Sequence, residues 1–234
     1  MHSFSWFSLF PYIKDYTTHD YLHVVNATFI TIICILLAIF LGKKMKRQKN
    51  MDVPSEKFSI STFFELISGM LLSLAVEIMG EKNARKFFPV LASIFLFIFL
   101  NNVVGLIPGF VPATDNINTT FACGIFIFIY YNYAGFKEHG LSYLKHFTGP
   151  MLWLTPLMLP IELISNAVRP FSLGLRLFGN ITGDHLVLGI FSNLAPFLVP
   201  VPFIGLGLFV SFFQALIFVI LSMIYLTLAL SHEH

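Results

Sequence analysis

The sequence predicts an all-α membrane protein: about five membrane-spanning or membrane-embedded helices plus one amphipathic surface helix, in a single multi-pass domain over residues 1–234. Composition is the first reason. Apolar residues make up 56% of the chain and charged residues 11%, against roughly 45–50% and about 25% in soluble domains. Such a chain could not cover its own apolar surface in water. The second reason is the length of its apolar runs, several near 20 residues, which matches a hydrocarbon core of about 30 Å. The third is that lysines and arginines gather at the ends of those runs, with Arg169 and Arg176 as the exceptions.

The first span runs from His23 to Gly42 and ends in KKMKRQK, with five basic residues between Lys43 and Lys49. Lys and Arg mark the cytoplasmic side of short loops, so residues 1–22 form an external N-terminal segment. That segment lacks the basic-then-apolar order of a cleavable leader. Residues 59–79 interleave apolar blocks with Glu65, Ser68, Ser73 and Glu77, and GEKNARK follows. This pattern predicts an amphipathic helix along the cytoplasmic surface; a true span here would reverse every later crossing. Phe88 to Ile107 and Thr119 to Gly135 then form a hairpin. Its connection, PGFVPATDNIN, has no Lys or Arg, and its return end meets Lys137 and Lys145. The C-terminal part, 151–234, is a helix pair. A break at NLAPFLVPVP, residues 193–202, separates helices at about 152–192 and 204–231. The first is too long for a perpendicular crossing, so it is tilted or bent, with Pro156, Pro160 and Pro170 as kink points.

Charge within this last part is concentrated. Glu162, Ser165, Asn166, Arg169, Ser172, Arg176, Asn180 and Asp184 recur at steps of three or four, apart from the adjacent Ser165 and Asn166. That spacing puts them on one face of the long helix, which packs against the last helix. Gly174, Gly179 and Gly183 lie among them and permit close helix approach. Arg169 could reach the cytoplasmic interface by snorkelling. Arg176 lies two turns deeper, about 10 Å further along the axis. An arginine at mid-bilayer costs at least ~2.5–3.5 kcal/mol, and a guanidinium keeps its charge.

A permanent cation cannot relay a proton, but it attracts a carboxylate and repels protons and cations. Polar groups on its two sides could then form aqueous paths that do not meet. Toward the outside lie Asn180, Asp184 and His185, with Gln214 on the last helix; toward the cytoplasm lie Glu162, Ser165 and Ser172. No acidic residue sits one turn from Arg176 along its helix, which predicts that another subunit supplies the carboxylate. Three other readings stay open at this point. A transporter or channel acting alone would explain a buried arginine, although no internal repeat is visible. A membrane enzyme would need a motif such as HExxH or GxSxG, and neither is present. A purely structural subunit would tolerate Arg176→Ala. Cys34 and Cys123 read as small apolar residues with no metal-site spacing, and no cofactor, metal or nucleic-acid partner is expected.

The run AVRPFSLGLRLFGNITGDH closely resembles the signature of subunit a of bacterial F-type ATP synthases. IELISNAVRP, LIPGFVPATDNINTT, and SFFQALIFVILSMIYLTLAL followed by SHEH support the resemblance, which extends over nearly the whole chain from the first span onward. The resemblance implies a non-catalytic stator subunit in the bacterial inner membrane, N-terminus outside and C-terminus cytoplasmic. It implies direct contact with a c-ring and assembly with the subunit b stator and other synthase subunits. By position, Arg176 matches the family's essential arginine. Asn180 and Gln214 match polar residues near the meeting point of two half-channels, and His185 matches an outer half-channel position. Glu162, Ser165 and Ser172 match the cytoplasmic side. One departure stands out. The last helix of the family often carries a titratable residue seven places before the glutamine, where this chain has Gly207. Asp184 or Asp115 of the outer loop could supply the missing acid.

Overall fold

The computed structural model describes residues 22–47, 60–107, 110–140, 143, 155–194 and 200–231. Among the described residues the α-helices are α1 (Leu22–Arg47), α2 (Ile60–Met79), α3 (Glu81–Gly105), α4 (Ile117–His139), α5 (Thr155–Leu194) and α6 (Pro200–Leu230), with a 3₁₀ turn, η1 (Ala113–Asp115), between α3 and α4. Residues 1–21 of the segment expected outside the membrane (1–22), Lys49, Lys145 and the centre of the break before α6 lie outside the described residues.

By length and apolar composition, segments of α1, α2, α3 and α6 suffice to cross a bilayer. The expected surface helix, α2, is therefore more apolar than its role required. Its polar residues Glu65, Ser68, Ser73 and Glu77 are nevertheless all exposed, while Ile67, Leu71, Ala75 and Met79 are buried. That i, i+4 spacing makes one packed face, which lies against α3 and α6. Gly80, at φ 75°, separates α2 from α3, a backbone conformation open to glycine at no steric cost.

The core is formed where α3, α4, α5 and α6 meet. Phe95 and Ile98 of α3, Ile127 and Tyr131 of α4, Leu173 and Leu177 of α5, and Phe218 and Met223 of α6 belong to one buried cluster. In lipid there is little hydrophobic gain from bringing two apolar helices together, so close van der Waals fit and interhelical hydrogen bonds decide the packing. Phe212 of α6 meets Phe95 and Phe99 of α3 edge-to-face, with ring centroids 5.9 and 6.1 Å apart. α4 begins with a side-chain cap, Asn116 Oδ1 accepting from Asn118 N at 2.9 Å, and ends with Lys137 and His139 in its last turn, where positive charge complements the helix dipole.

α5 runs without interruption for 40 residues with Pro160 and Pro170 inside it, about 60 Å at 1.5 Å per residue. Its inner face, Asn166, Pro170, Leu173, Gly174, Leu177 and Ile181, is buried. Leu157, Ile164, Val168, Phe171 and Leu175 on the outer side are exposed. α4 lies against the inner face at very short range. A Cβ added at Gly124 would sit 2.6 Å from the Pro170 carbonyl oxygen, and one at Gly174 would sit 3.2 Å from Phe121 Cα. Of the three glycines in the polar region, Gly174 therefore makes the close approach; Gly179 and Gly183 face open space.

Gly124→Val should force α4 away from α5 and cost about 1–3 kcal/mol, the usual range for overpacking. Thermal unfolding of the purified protein in detergent should show a lowered Tm. Gly69→Ala, at an interior α2 glycine with nothing within 4 Å, should not lower Tm and should raise it slightly, since alanine favours the helix by about 0.5–1 kcal/mol. Equal midpoints for the two variants would remove the Gly124 contact from the account.

Candidate functional site: the polar face of the long helix

The structure divides the polar stripe of α5 into three groups. At the lower end, Arg169 pairs with Glu162 at 3.8 Å and lies 5.3 Å from the centre of the Tyr225 ring of α6. Arg169 thus folds toward α6 along the protein surface and does not extend away from it. Ser165 is exposed and Ser172 half-buried on the same side. Asn166 departs from the stripe. It turns inward and is buried, its Oδ1 accepting from Tyr131 OH at 2.5 Å, and its Nδ2 donating to Asn132 Oδ1 at 3.4 Å. Tyr143 OH donates to the same Asn132 oxygen at 3.0 Å.

Arg176 stands alone in the middle group. Its side chain is exposed, and among the described residues it has no ion pair. One turn above it, Asn180 Nδ2 donates to Gln214 Oε1 at 2.5 Å. Gln214 is 3% exposed, so this bond pins α5 to α6 at the level just beyond Arg176.

The upper group joins α5 to the α3–α4 connection. Thr182 Oγ1 donates to Asp115 Oδ1 at 2.9 Å, and His185 Nδ1 lies 3.6 Å from Asp115 Oδ2. Thr182 and His185 are three residues apart, so both reach one carboxylate from one face. Burial by itself raises the Asp115 pKa, but the hydrogen bonds to His185 and Thr182 and the charge of His185 outweigh it. The net effect takes the carboxyl below its ordinary 3.8. Asp184 is half-buried beside this group, and it is Asp115 that His185 meets. Gly207 of α6 is occupied from across the interface: a Cβ there would lie 2.6 Å from Leu106 Cδ2. A side chain at 207 and Leu106 in its present place exclude one another.

Sequence reasoning missed several polar groups near η1. Asn26 of α1 donates from Nδ2 to the Val111 carbonyl, and Thr114 Oγ1 donates to Asn102 Oδ1 at 2.8 Å. All three side chains are buried. Buried amides in apolar helices carry a desolvation cost unless hydrogen-bonded, a signal that was present at Asn26 and Asn102 in the sequence. Among the described residues no cluster of three or more His, Cys, Asp or Glu could hold a metal.

Residues 25–227 match the protein family described as ATP synthase A chain. The chain is 43% identical to ATP synthase subunit a of Bdellovibrio bacteriovorus over 233 residues, covering 99% of this chain and all of that protein. It is 46% identical over 210 residues to ATP synthase subunit a 3 of Pelobacter propionicus, covering 90% and 88% of the two chains. With ATP synthase subunit a of Geobacter sulfurreducens it shares 44% identity over 207 residues, 88% and 87% of the two.

The Asp115 anchor has a defined pH sense. A carboxyl held low in the folded state stabilises that state above its unfolded pKa of about 3.9, and the contribution fades as pH falls through the lower folded value. Thr182→Val removes one hydrogen bond to the ionised form, so Asp115 should titrate at a higher pH than in the wild type. Infrared difference spectra of the carboxylate band, taken across an acid titration, should show that rise; an unmoved midpoint would exclude the Thr182 contribution.

Proposed function

The chain belongs to the ATP synthase A chain family, and from that premise we infer that it conducts protons to and from the c-ring through two offset half-channels. The observation that carries the reading is Arg176: a permanent cation, exposed on α5, with no ion-pair partner among the described residues and with polar groups on either side of it. Leaving a guanidinium at bilayer depth without a counter-charge is costly. A carboxylate on a neighbouring subunit relieves that cost only while it is ionised.

Protons move through the outer group first. Asp115, Thr182 and His185 form a titratable cluster at the outer end, with Asp184 beside it. The Asn180–Gln214 pair lies between this cluster and Arg176 and offers amide groups that hold water. A ring carboxylate protonated here becomes neutral and can face lipid. After nearly a full turn it meets the other path, lined by Glu162, Ser165 and Ser172, and gives up its proton to the cytoplasm. Arg176 receives the ionised carboxylate and bars a direct proton route between the two paths, because a fixed positive charge opposes a proton approaching from either side. The subunit itself makes and breaks no covalent bond. It acts as a stator with subunit b and the other synthase subunits, in the bacterial inner membrane, N-terminus outside and C-terminus cytoplasmic.

The position of Leu106 over Gly207 favours Asp115 as the outer acid. The α6 position that is often titratable in relatives is here filled by a leucine from α3, while the carboxylate comes from the adjoining turn.

Arg176→Ala should abolish ATP-driven proton pumping in inverted membrane vesicles while the subunit remains in the membrane. Wild-type pumping by that variant would sink the mechanism. Asp115→Asn and His185→Ala should each slow proton flux less completely, by roughly 10²-fold or more where the residue passes the proton itself, and Gln214→Leu, which removes an amide that holds water, should slow it as well. Unchanged proton permeability in vesicles stripped of the catalytic sector would remove the residue concerned from the path.

A further inference from the structure

The two interior prolines of α5 sit in different surroundings: Pro160 is exposed and Pro170 is buried. Proline has no N–H, so the carbonyl four residues back loses its helical partner and the helix is softened there. For Pro170 that carbonyl belongs to Asn166. The side chain of the same residue is where α5 is tied most firmly to α4. Asn166 Oδ1 accepts from Tyr131 OH, and Asn166 Nδ2 donates to Asn132 Oδ1 at 3.4 Å. Asn166 is 6% exposed and Tyr131 1%. On the other side of the joint, Gly124 leaves room for the Pro170 carbonyl, which a Cβ would approach to 2.6 Å. The helix backbone softened by Pro170 is thus held by side chains of its neighbour.

The mechanical reason for such a brace follows from helix dimensions. Glu162 lies eight residues before Pro170, about 12 Å along the axis. A 10° change of direction at the joint would carry it roughly 2 Å sideways over that lever arm. Shifts of this size alter proton-transfer geometry, which depends on hydrogen-bond reach. Arg176 lies on the far side of the joint and is fixed separately, through the Asn180–Gln214 bond one turn above it.

We propose that Asn166 is a positioning residue: through Tyr131 and Asn132 it braces the Pro170 joint and holds the Glu162–Ser165 part of α5 in one direction relative to Arg176. The inference rests on the reading of the α5 polar face as a proton path. Asn166 itself points away from that face and carries no proton.

The test is a double-mutant cycle in the intact synthase, read as ATP-driven proton pumping in inverted vesicles. Asn166→Ala should lower pumping about tenfold, a loss in keeping with one buried hydrogen-bonding group left unpaired. Pro170→Ala restores the missing N–H, so the joint no longer needs a brace. On that background Asn166→Ala should cost less than about twofold, the strong coupling expected of residues that act on one element. An equal, additive loss on both backgrounds would overturn the proposal, as would wild-type pumping by Asn166→Ala alone. If Asn166→Ala does not accumulate in the membrane, Tyr131→Phe, which keeps the buried ring and removes only the hydroxyl, is carried through the same cycle with the same two criteria. Arg176→Ala in an unaltered joint is scored separately. Pumping there overturns the functional reading, whereas additivity in the cycle overturns only the brace.

Discussion

A guanidinium cannot shed its charge at any pH the protein meets, and a helix that carries one among apolar neighbours must be built around it. Arg169 of the same helix is paired with Glu162, and the remaining ionisable side chains of α5 have an alternative. A carboxyl or an imidazole can go neutral when desolvated. Arg176 has none, so its surroundings must supply polar groups or an opposite charge. The residues around it do not cancel it: Glu162 is engaged with Arg169, and Asp115 with His185 and Thr182. Those two carboxylates are thereby occupied, and Asp184, two turns beyond Arg176 along α5, forms no ion pair with it among the described residues.

This arrangement places unusual demands on packing. Lipid gives little drive for helix association, so the fold relies on contacts that are either very close or directional. The close ones are at Gly124 and Gly174, where α4 and α5 approach backbone to backbone. The directional ones are spread along α5: Asn166 to α4, Asn180 to α6, and Thr182 to η1. Each lies at a different height and engages a different neighbour. Together they fix the rotation of α5 about its own axis, which decides where Arg176 points.

Much of this was legible in the chain. Hydropathy and flanking charge located all six helices, and the long helix expected at 152–192 runs 155–194. The last helix, expected from 204, begins at Pro200, a residue suited to a first helical turn because its missing N–H would be unpaired there anyway. The three-and-four spacing put Arg169, Arg176 and Asn180 on one side of α5. It misplaced Asn166, because helical phase gives a direction in space but not the identity of the neighbour, and Tyr131 lies 35 residues away in sequence. Asp115 was named only beside Asp184 as an acid that could replace the one missing at Gly207, and its partner Thr182 was passed over as one hydroxyl among many. The seating of Leu106 on Gly207 joins residues about a hundred positions apart and depends on the α3–α6 interface, which no local pattern encodes.

That seating has an evolutionary consequence. The leucine that fills the notch and the aspartate that meets His185 belong to one uninterrupted stretch, residues 106–115, well apart from the segment that carries Arg176. A single exchange of this short stretch between relatives would replace plug and acid together and leave the charged helix untouched. The outer side of such a protein can therefore diversify as a cassette, matched by a glycine on α6 and by the Thr182 and His185 contacts on α5.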